Sequence, residues 1–341
     1  MTHQLLPVGE QVIVITGASS GIGLVTAKRA AARGARVVLA ARNENDLRTA
    51  CDEIRVAGGR AIFVAADVSD PKGVAAIADA AMAEFGRIDA WVNNAAVSMY
   101  GPVMELRVED MRRQMDVNFW GQVYGSREAV SRMRAQGGAL INVASALADR
   151  AIPLQGIYCA AKHVIKAFTD ALRMELEADG VPISVSLVKP ASIDTPFFEK
   201  AKTYLDVEPQ PVPPVYAPEI AADVILRCAE TPTREIIAGG AAEKLRLAQL
   251  FPRVADKVME RRLFDQQHTA VPVGNRPDNL YGPVKADGGE RGHTWHGRTR
   301  ETSVLTWAAM RPAAAVAGLV ALMVGAVVVA NRVSPFGPPR L

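Results

Sequence analysis

Three side chains in the middle of the chain have the types and the spacing that proton transfer requires. Tyr158 and Lys162 are four residues apart in the helical pattern from Ile157 to Glu177, so a helix places them on one face. A neighbouring ammonium favours the phenolate, so we expect Lys162 to lower the pKa of Tyr158 from its usual value of about 10. Such a phenol can act as an acid or a base near neutral pH. Ser145 follows the apolar run 139–143, and its hydroxyl can hold a carbonyl or alcohol oxygen beside the phenol.

The Tyr-x-x-x-Lys spacing is not specific by itself. It recurs at Tyr281 and Lys285, where an intervening Gly-Pro pair prevents a helix from aligning the two side chains. The first pair therefore gains a functional interpretation only together with the upstream serine and a nucleotide-binding motif elsewhere in the chain. Without them, a structural role is the better interpretation.

A glycine-rich turn near the N-terminus has the features of a phosphate-binding loop. The short apolar run Gln11–Thr16 is followed by Gly-Ala-Ser-Ser-Gly-Ile-Gly and by a helical pattern that ends at Arg33. Small residues let the backbone approach a pyrophosphate, and the following helix offers free N–H groups and a positive dipole end. The spacing differs from the more familiar Gly-x-Gly-x-x-Gly, and glycine spacing alone is a weak signal. The loop residues expected to contact a dinucleotide are Gly17, Ser19, Ser20, Gly21, Ile22 and Gly23.

The second predicted strand, Arg36–Ala41, indicates which dinucleotide the site prefers. An NAD site places an acidic residue at this strand end for the ribose 2′-hydroxyl, but here Arg42 follows Ala41. A guanidinium in place of a carboxylate suits a 2′-phosphate, so NADP(H) is favoured over NAD(H). The alternative is that Arg42 only ends the strand, and Ser20 adds no second cation in the glycine loop.

Two further apolar runs end in polar residues. Ala61–Ala65 is followed by Asp67-Val68, where a carboxylate can accept a hydrogen bond from an adenine amino group. Ile88–Val92 is followed by Asn-Asn-Ala-Ala at 93–96, whose amides either contact a cofactor or tie neighbouring strands together. Asn118 lies in an apolar helical pattern and needs a partner if buried, so it is either a packing amide or part of a proton relay.

In order and spacing, these motifs resemble the short-chain dehydrogenase/reductase family over residues 11–240. The resemblance implies a Rossmann-like, doubly wound α/β fold of about seven parallel strands with helices on both faces. In its catalytic set, Tyr158 gives or takes the proton, and Lys162 lowers the pKa of that tyrosine and binds the nicotinamide ribose. Ser145 orients the substrate oxygen, and Asn118 holds a water in the relay.

The resemblance also covers the turn after the predicted strand Ile183–Val188. Lys-Pro-Ala-Ser-Ile-Asp-Thr at 189–195 is similar to the family's Pro-Gly-x-x-x-Thr turn, in which the threonine meets the nicotinamide carboxamide. Ala191 stands where the family usually has glycine. The cofactor contacts expected outside the glycine loop are Arg42, Asp67, Val68, Asn94, Tyr158, Lys162, Pro190, Ile193 and Thr195.

These residues predict an NADP(H)-dependent oxidoreductase that interconverts a carbonyl and an alcohol on a small, lipophilic substrate. In relatives the region 197–218 forms a mobile lid over the substrate, and its residues Phe197, Phe198, Tyr204 and Leu205 favour an apolar one. Two alternatives stay open: an NAD-dependent alcohol dehydrogenase of the same fold, and a non-catalytic nucleotide-binding scaffold or redox sensor. Relatives often form homodimers or homotetramers through two long helices, here 108–134 and 157–177.

Charge and ligand patterns argue against several other classes. Residues 1–240 carry 25 basic and 28 acidic side chains, a net charge of −3, so we expect no nucleic-acid partner. The three cysteines and five histidines have no metal-ligand spacing, so we expect no metal site. The N-terminus lacks the pattern of a signal peptide.

Two segments follow the family core. Residues 241–264 have an amphipathic helical pattern, broken near Pro252, which either packs on the core or lies on an anionic membrane surface. Packing is the favoured interpretation. Residues 265–310 are rich in Gly, Pro and charge, and this composition predicts a disordered linker.

The C-terminal end of the chain predicts a membrane anchor. The uncharged stretch Ala313–Ala330 is long enough, at about 1.5 Å per residue, to cross a bilayer core. We therefore expect a single transmembrane helix over 311–332, followed by a short tail, 333–341. More arginines precede this stretch than follow it, so the catalytic domain is expected to be cytoplasmic.

Overall fold

The computed structural model describes residues 4–240, 243–285 and 288–317. In this part of the chain the strands are β1 (Val12–Thr16), β2 (Arg36–Ala41), β3 (Arg60–Ala65), β4 (Ala90–Asn93), β5 (Met99–Tyr100), β6 (Gly138–Val143), β7 (Ile183–Pro190), β8 (Lys202–Thr203), β9 (Val207–Pro209), β10 (Val215–Tyr216), β11 (Glu235–Ala238), β12 (His268–Pro272) and β13 (Thr299–Arg300). The α-helices are α1 (Gly21–Ala32), α2 (Glu44–Val56), α3 (Pro71–Phe85), α4 (Val108–Met115), α5 (Gly121–Met133), α6 (Gly156–Ala178), α7 (Pro218–Glu230), α8 (Glu243–Leu247), α9 (Pro252–Gln266) and α10 (Val304–Met310).

Seven of these strands form one sheet, in the order β3-β2-β1-β4-β6-β7-β11. Every pairing within it is parallel. The order reverses at β1, because β2 and β3 lie on one side of it and the later strands on the other. The predicted Rossmann-like sheet of about seven parallel strands is thereby confirmed. In such sheets a groove opens beyond the carboxyl ends of the strands at the point of reversal.

Helices cover both faces of the sheet because the side chains of each strand alternate between the faces. In β1, Ile13 and Ile15 join one core cluster with residues of α1, α2 and α7. Val12 and Val14 join a second cluster with residues of α3, α5 and α6. All four side chains are fully buried. A strand that is buried on both faces appears in the sequence as a continuous apolar run, as these strands do.

The turn after β1 brings the glycine-rich loop against the neighbouring strand. A Cβ at position 23 would lie 2.3 Å from the carbonyl oxygen of Gly17, so a side chain at Gly23 would collide with the backbone. Asn94, at the end of β4, donates its amide to the carbonyl oxygens of Thr16 and Gly17 at 2.9 and 3.2 Å. The loop and the end of β4 therefore form one continuous edge.

The helical pattern predicted from 108 to 134 is interrupted in the structure. Helix α4 ends at Met115, a π-helical turn covers Asp116–Trp120, and α5 follows. Asn118 is fully buried in that turn. Single π-helical turns inside helices occur frequently at functional sites.

The described part of 265–310 is packed on the domain, whereas the sequence predicts a disordered linker there. Strand β12 pairs with β9 in antiparallel orientation, and β13 pairs with β10 in parallel. Helix α10 is attached to β11 through Thr306, whose hydroxyl accepts from the N–H of Gly239 at 2.9 Å and donates to the carbonyl of Ile237 at 3.2 Å. The composition did not predict that this segment is ordered. Backbone pairing and specific polar contacts hold it in place, and it has few large apolar side chains.

The described part of the amphipathic segment 241–264 contains α8, a short 3-10 turn and most of α9, and α9 begins at Pro252, near which the sequence predicts a break. Helix α9 contacts the domain through Arg150, whose guanidinium donates to the Pro252 carbonyl at 3.2 Å and to the Asp256 carboxylate. These contacts agree with the favoured interpretation, in which the helix packs on the core.

The membrane-spanning helix predicted over 311–332 is not supported. Among the residues that the structure describes, no helix is both long and apolar enough to cross a bilayer. Residues 318–341, which include most of that stretch and the tail 333–341, lie outside the described residues. The cytoplasmic placement of the catalytic domain stays a prediction.

Leu280 tests whether the C-terminal extension, meaning the chain after residue 240, is an integral part of the fold. Its side chain is fully buried in the core cluster that contains α3 and α5 residues. We expect Leu280→Ala to lower the free energy of unfolding by about 2–5 kcal/mol, the usual cost of truncating a buried leucine, as measured by urea denaturation. The control is Val304→Ala at a position that is 78% exposed, which should change that free energy by less than about 0.5 kcal/mol. Equally small losses in both variants would contradict an ordered extension.

Candidate active site

A cavity of about 500 Å³ lies at the carboxyl edge of the sheet, where the strand order reverses. Its volume is within the usual range for small-molecule sites. The predicted site residues that line it are Gly17, Ser19, Ser20, Gly21, Ile22, Arg42, Asp67, Val68, Asn94, Ser145, Tyr158, Lys162, Pro190, Ile193 and Thr195. Gly23 and Asn118 do not line the cavity. The fold therefore brings nearly all of the predicted residues to one place.

The glycine loop forms one end of this cavity. Ser20 is the N-cap residue of α1, but its side chain makes no capping hydrogen bond to the helix backbone. The first turn of α1 contains no acidic residue. No carboxylate from this turn therefore neutralises the positive end of the helix dipole, which faces the cavity. The N–H of Gly21 donates to the carbonyl of Gly289 in the extension at 2.8 Å. The geometry suits an anion at this end of the cavity.

Arg42 lies at the end of β2 as predicted, but its guanidinium also contacts the extension. Nη1 donates to the carbonyl of Leu280 at 3.4 Å, and Nη2 donates to the carbonyl of Asn279. The neighbouring Asn43 donates to the carbonyl of Val284 at 3.0 Å. The extension thus passes along the edge where a 2′-phosphate is expected, which sequence reasoning did not foresee.

Asp67 lies after β3 and is held as a carboxylate. Its Oδ2 is 2.5 Å from Nη2 of Arg113, and its Oδ1 accepts from the N–H and the hydroxyl of Ser69 at 2.9 and 2.8 Å. Burial alone raises the pKa of this carboxyl, but the hydrogen bonds from Ser69 and Arg113 outweigh burial and lower the pKa below its ordinary value. An ionised Asp67 remains an acceptor for an adenine amino group.

Lys200 is a cation beside the glycine loop that sequence reasoning missed. Its Nζ donates to Oγ of Ser20 at 2.9 Å, and its side chain lines the cavity while being only 5% exposed. The two residues are 180 positions apart. No local pattern could have revealed this contact.

Tyr158 and Ser145 lie at the other end of the cavity, and the Ser145 hydroxyl is close enough to act on the pKa of the phenol. Ser145 follows β6 as predicted, and its Oγ also accepts from the N–H of Leu147 at 3.1 Å. The ring of Tyr158 packs at 5.8 Å from the ring of Phe197, measured between centroids. The serine is therefore placed to hold an oxygen atom next to the phenol.

Lys162 lies on the same helix face as Tyr158, with Nζ at 5.5 Å from the centroid of the tyrosine ring. The lysine is 1% exposed and donates to the carbonyl of Val143 at 3.0 Å. Burial lowers the pKa of Lys162 to about 7. The pKa of Tyr158 is not lowered as expected, because burial raises that pKa and the nearby Ser145 hydroxyl only partly opposes the effect of burial. The spacing correctly predicted that Tyr158 and Lys162 are neighbours. It did not predict how desolvation shifts the pKa values of the two groups.

The oxygen and the nitrogen of the Asn118 side-chain amide are both hydrogen-bonded to the backbone of Val97. Oδ1 accepts from the N–H of Val97 at 2.9 Å, and Nδ2 donates to the carbonyl of Val97 at 2.9 Å. Asn93 likewise donates to Oδ1 of Asn142 at 2.9 Å and ties β4 to β6. These contacts support the packing interpretation of both amides, and the water-holding role of Asn118 stays a prediction.

The turn after β7 returns to the glycine loop. A Cβ at Gly21 would come within 3.0 Å of Cβ of Thr195, so the two ends of the cavity wall meet there. Pro190 and Ile193 line the wall between this contact and the tyrosine. The predicted turn residues therefore lie together, as the cofactor interpretation requires.

Apolar side chains line the cavity near Tyr158. They include Phe197 and Phe198, as predicted, and also Met259 and Leu263 of α9, which sequence reasoning assigned only to a packed helix. Tyr204 and Leu205 are not lining residues, since the Tyr204 hydroxyl points to the carboxylate of Asp110 at 2.5 Å. The extension thus contributes to the wall of the cavity.

Comparison with known proteins matches residues 11–205 to the short chain dehydrogenase family. A Bacillus subtilis (strain 168) protein named "Uncharacterized oxidoreductase YxnA" is 47% identical over 319 residues, which cover 92% of this chain and 89% of that protein. The similarity to that protein therefore continues into the extension. An 11-beta-hydroxysteroid dehydrogenase A from Sesamum indicum is 36% identical over 235 residues, 65% of this chain and 66% of that protein.

A solved structure agrees with the fold. The crystal structure of a short chain dehydrogenase/reductase from Burkholderia phymatum in complex with NAD has a TM-score of 0.66 and 27% sequence identity. The match covers 74% of this chain and 96% of that chain. The match thus covers nearly all of that chain but leaves about a quarter of this chain unmatched, as expected if the extension is an addition to the shared domain.

The buried ammonium of Lys162 should make stability depend on pH. Its folded-state pKa is about 7, and its unfolded value is about 10.5, so between these pH values the unfolded chain binds more protons and stability rises with pH. We expect Lys162→Met to be more stable than the wild type at pH 6.

This difference in the free energy of unfolding should shrink steadily as pH approaches about 10.5. Urea denaturation of cofactor-free protein at several pH values measures it, and Lys72→Met on the exposed surface of α3 controls for the loss of a lysine. The Val143 carbonyl stays satisfied in the variant because Gln122 also donates to it at 3.0 Å. A difference that does not change with pH would argue against the lowered pKa.

Proposed function

Since the chain belongs to the short-chain dehydrogenase family and is an oxidoreductase that interconverts alcohols and carbonyls, we propose that it uses NADP(H) on a small, lipophilic substrate. One observation carries the proposal. A single cavity has a glycine loop and a helix N-terminus at one end and the neighbouring Tyr158 and Ser145 at the other. A dinucleotide bound along it would have its phosphates at the loop and its reactive ring near the tyrosine.

The cofactor, when bound, supplies or accepts the hydride, and the protein supplies proton transfer and orientation. In the reducing direction, the Tyr158 hydroxyl donates its proton to the carbonyl oxygen as that oxygen becomes an alcohol. In the oxidising direction, the same oxygen of Tyr158 takes the proton back. Ser145 holds the reacting oxygen in place, because its hydroxyl lies in the same cavity close to the phenol.

Lys162 has an electrostatic role in this scheme. Its pKa of about 7 means that it gains a proton in the neutral range, and the resulting ammonium lies close enough to favour the phenolate of Tyr158. A ligand hydroxyl or phosphate near the lysine would favour the ammonium further. The raised pKa of Tyr158 describes the protein alone, and binding of a polar ligand beside the lysine is expected to lower it.

The proposals for cofactor and substrate rest on the cavity walls. Arg42 follows β2 in place of an acidic residue, which favours a 2′-phosphate and hence NADPH over NADH. Phe197, Phe198, Met259 and Leu263 make the substrate end apolar, which suits a lipophilic carbonyl or alcohol. The Sesamum indicum relative, named a hydroxysteroid dehydrogenase, is consistent with a substrate of this kind.

Replacing Tyr158 by phenylalanine tests the proton-transfer role. We expect Tyr158→Phe to lower NADPH-dependent turnover of a carbonyl substrate by about 10²- to 10⁴-fold, because the proton donor is lost. The NADPH dissociation constant, measured by titration of NADPH fluorescence, should change by less than about threefold. Turnover comparable to the wild type would refute the assignment.

Tyr100→Phe is a matched control for that variant. Tyr100 is fully buried near Tyr158, and its hydroxyl has no hydrogen-bond partner among the described residues. Removing this hydroxyl should leave turnover close to that of the wild type. A loss as large as that of Tyr158→Phe would mean that the first variant reports on packing rather than on proton transfer.

Replacing Arg42 by alanine tests the choice of cofactor. We expect Arg42→Ala to raise the dissociation constant for NADPH by about ten- to a hundredfold through loss of a charged hydrogen bond. The constant for NADH should change by less than about threefold. Because Arg42 also holds two carbonyls of the extension, NADH binding controls for indirect damage. Arg48→Ala, on the exposed surface of α2, controls for the loss of an arginine. Equal losses for both cofactors would contradict recognition of the 2′-phosphate.

A further inference from the structure

We propose that Lys200 is a phosphate-binding residue of the dinucleotide site, delivered by the segment after β7 and held in position by the C-terminal extension. The inference rests on the proposed function, since it assumes that the cavity binds a nicotinamide dinucleotide. The proposal supplies a positive charge beside the glycine loop, where the loop itself contributes the uncharged Ser20 and no basic residue.

The position of the ammonium is the first argument. Nζ of Lys200 donates to Oγ of Ser20 at 2.9 Å, and Ser20 is the N-cap of α1. The ammonium therefore lies at the positive end of a helix dipole, and both features face the same cavity and attract the same sign of charge. The side chain is 5% exposed, so an anion bound there would interact with it in surroundings of low polarity.

The second argument is how the extension fixes the segment that carries Lys200. The guanidinium of Arg276 donates to the carbonyl of Ala201 at 2.6 Å and also reaches the carbonyls of Phe198 and Glu199. The N–H of Asn279 donates to the carbonyl of Lys200 at 2.9 Å. Four backbone contacts thus set the conformation of the residues around Lys200 before any ligand binds.

Asn279 connects the two cations of the site. Its N–H binds the carbonyl of Lys200, and its own carbonyl accepts from the guanidinium of Arg42. Its side-chain Oδ1 is buried, and has no hydrogen-bond partner in the described part of the chain, although the residue lines the cavity. A buried acceptor of this kind needs a donor, which a ribose hydroxyl or an adenine amino group would supply.

Two phosphates of a dinucleotide could contact Lys200. The 2′-phosphate of NADPH is expected near Arg42, which Asn279 links to the lysine, whereas the pyrophosphate is expected at the N-terminus of α1. Both share the chemistry of a phosphate oxygen that accepts a charge-assisted hydrogen bond from an ammonium. Measurements with NADPH and with NADH separate the two sources, because only NADPH carries the 2′-phosphate.

The test is titration calorimetry of NADPH and NADH with the full chain and four variants. Lys200→Gln keeps a donor for Ser20 but removes the charge, and Lys200→Met removes both. Lys200→Arg keeps the charge, and Lys257→Met removes an exposed lysine of α9 as the matched control. We expect Lys200→Gln and Lys200→Met to weaken NADPH binding about ten- to a hundredfold. Lys200→Arg should stay within about threefold of the wild type, and Lys257→Met should have no effect.

Each outcome decides the proposal. A loss confined to NADPH supports contact with the 2′-phosphate, and an equal loss for NADH supports contact with the pyrophosphate. Unchanged binding of both cofactors to Lys200→Gln, with an unchanged melting temperature, would overturn the assignment of Lys200 while leaving the proposed function intact. A wild-type protein that binds neither cofactor would overturn both. If Lys200→Met does not fold, Lys200→Gln against Lys200→Arg gives the same comparison of charge.

Discussion

The close contact between the glycine loop and the end of β4 is the constraint on which the site depends. Gly23 can carry no side chain because the Gly17 carbonyl lies in the way, and the Asn94 amide binds the loop from the other side. These contacts let α1 begin directly at the sheet edge, where the strand order reverses. The cavity opens at this point, and the strands on either side bring Arg42 and Ser145 to its two halves. Both the nucleotide end and the end that contains Ser145 thus depend on the close backbone contact between the glycine loop and the end of β4.

Much of this arrangement could be predicted from the sequence, because it follows from local patterns. Continuous apolar runs predicted the parallel strands, and the polar residues at their ends predicted which side chains meet at the edge. The four-residue spacing of Tyr158 and Lys162 placed them together on α6. The direction of the Tyr158 pKa could not be predicted in this way, since it depends on how densely the rest of the fold surrounds the phenol.

The extension shows a different limit of sequence reasoning. The composition of its residues 265–310 is that of a linker, and yet Leu280 is buried in the core and Arg276 is bound to three backbone carbonyls. The partners of these residues are about 75 or more positions away, so no periodicity within the segment could indicate them. The same distance concealed the contact of Lys200 with the glycine loop. Long-range polar contacts therefore completed a site whose framework local patterns had already predicted.

The hydrogen bond from Gly21 to the Gly289 carbonyl has a kinetic consequence. Together with the Leu280 and Asn279 carbonyls that hold Arg42, this bond places described parts of the extension along the nucleotide end of the cavity. Passage of a dinucleotide beneath this part of the extension requires the hydrogen bond between Gly21 and Gly289 to break. The rate of dinucleotide exchange then depends on local unfolding of the extension, which lies outside the domain shared with the family.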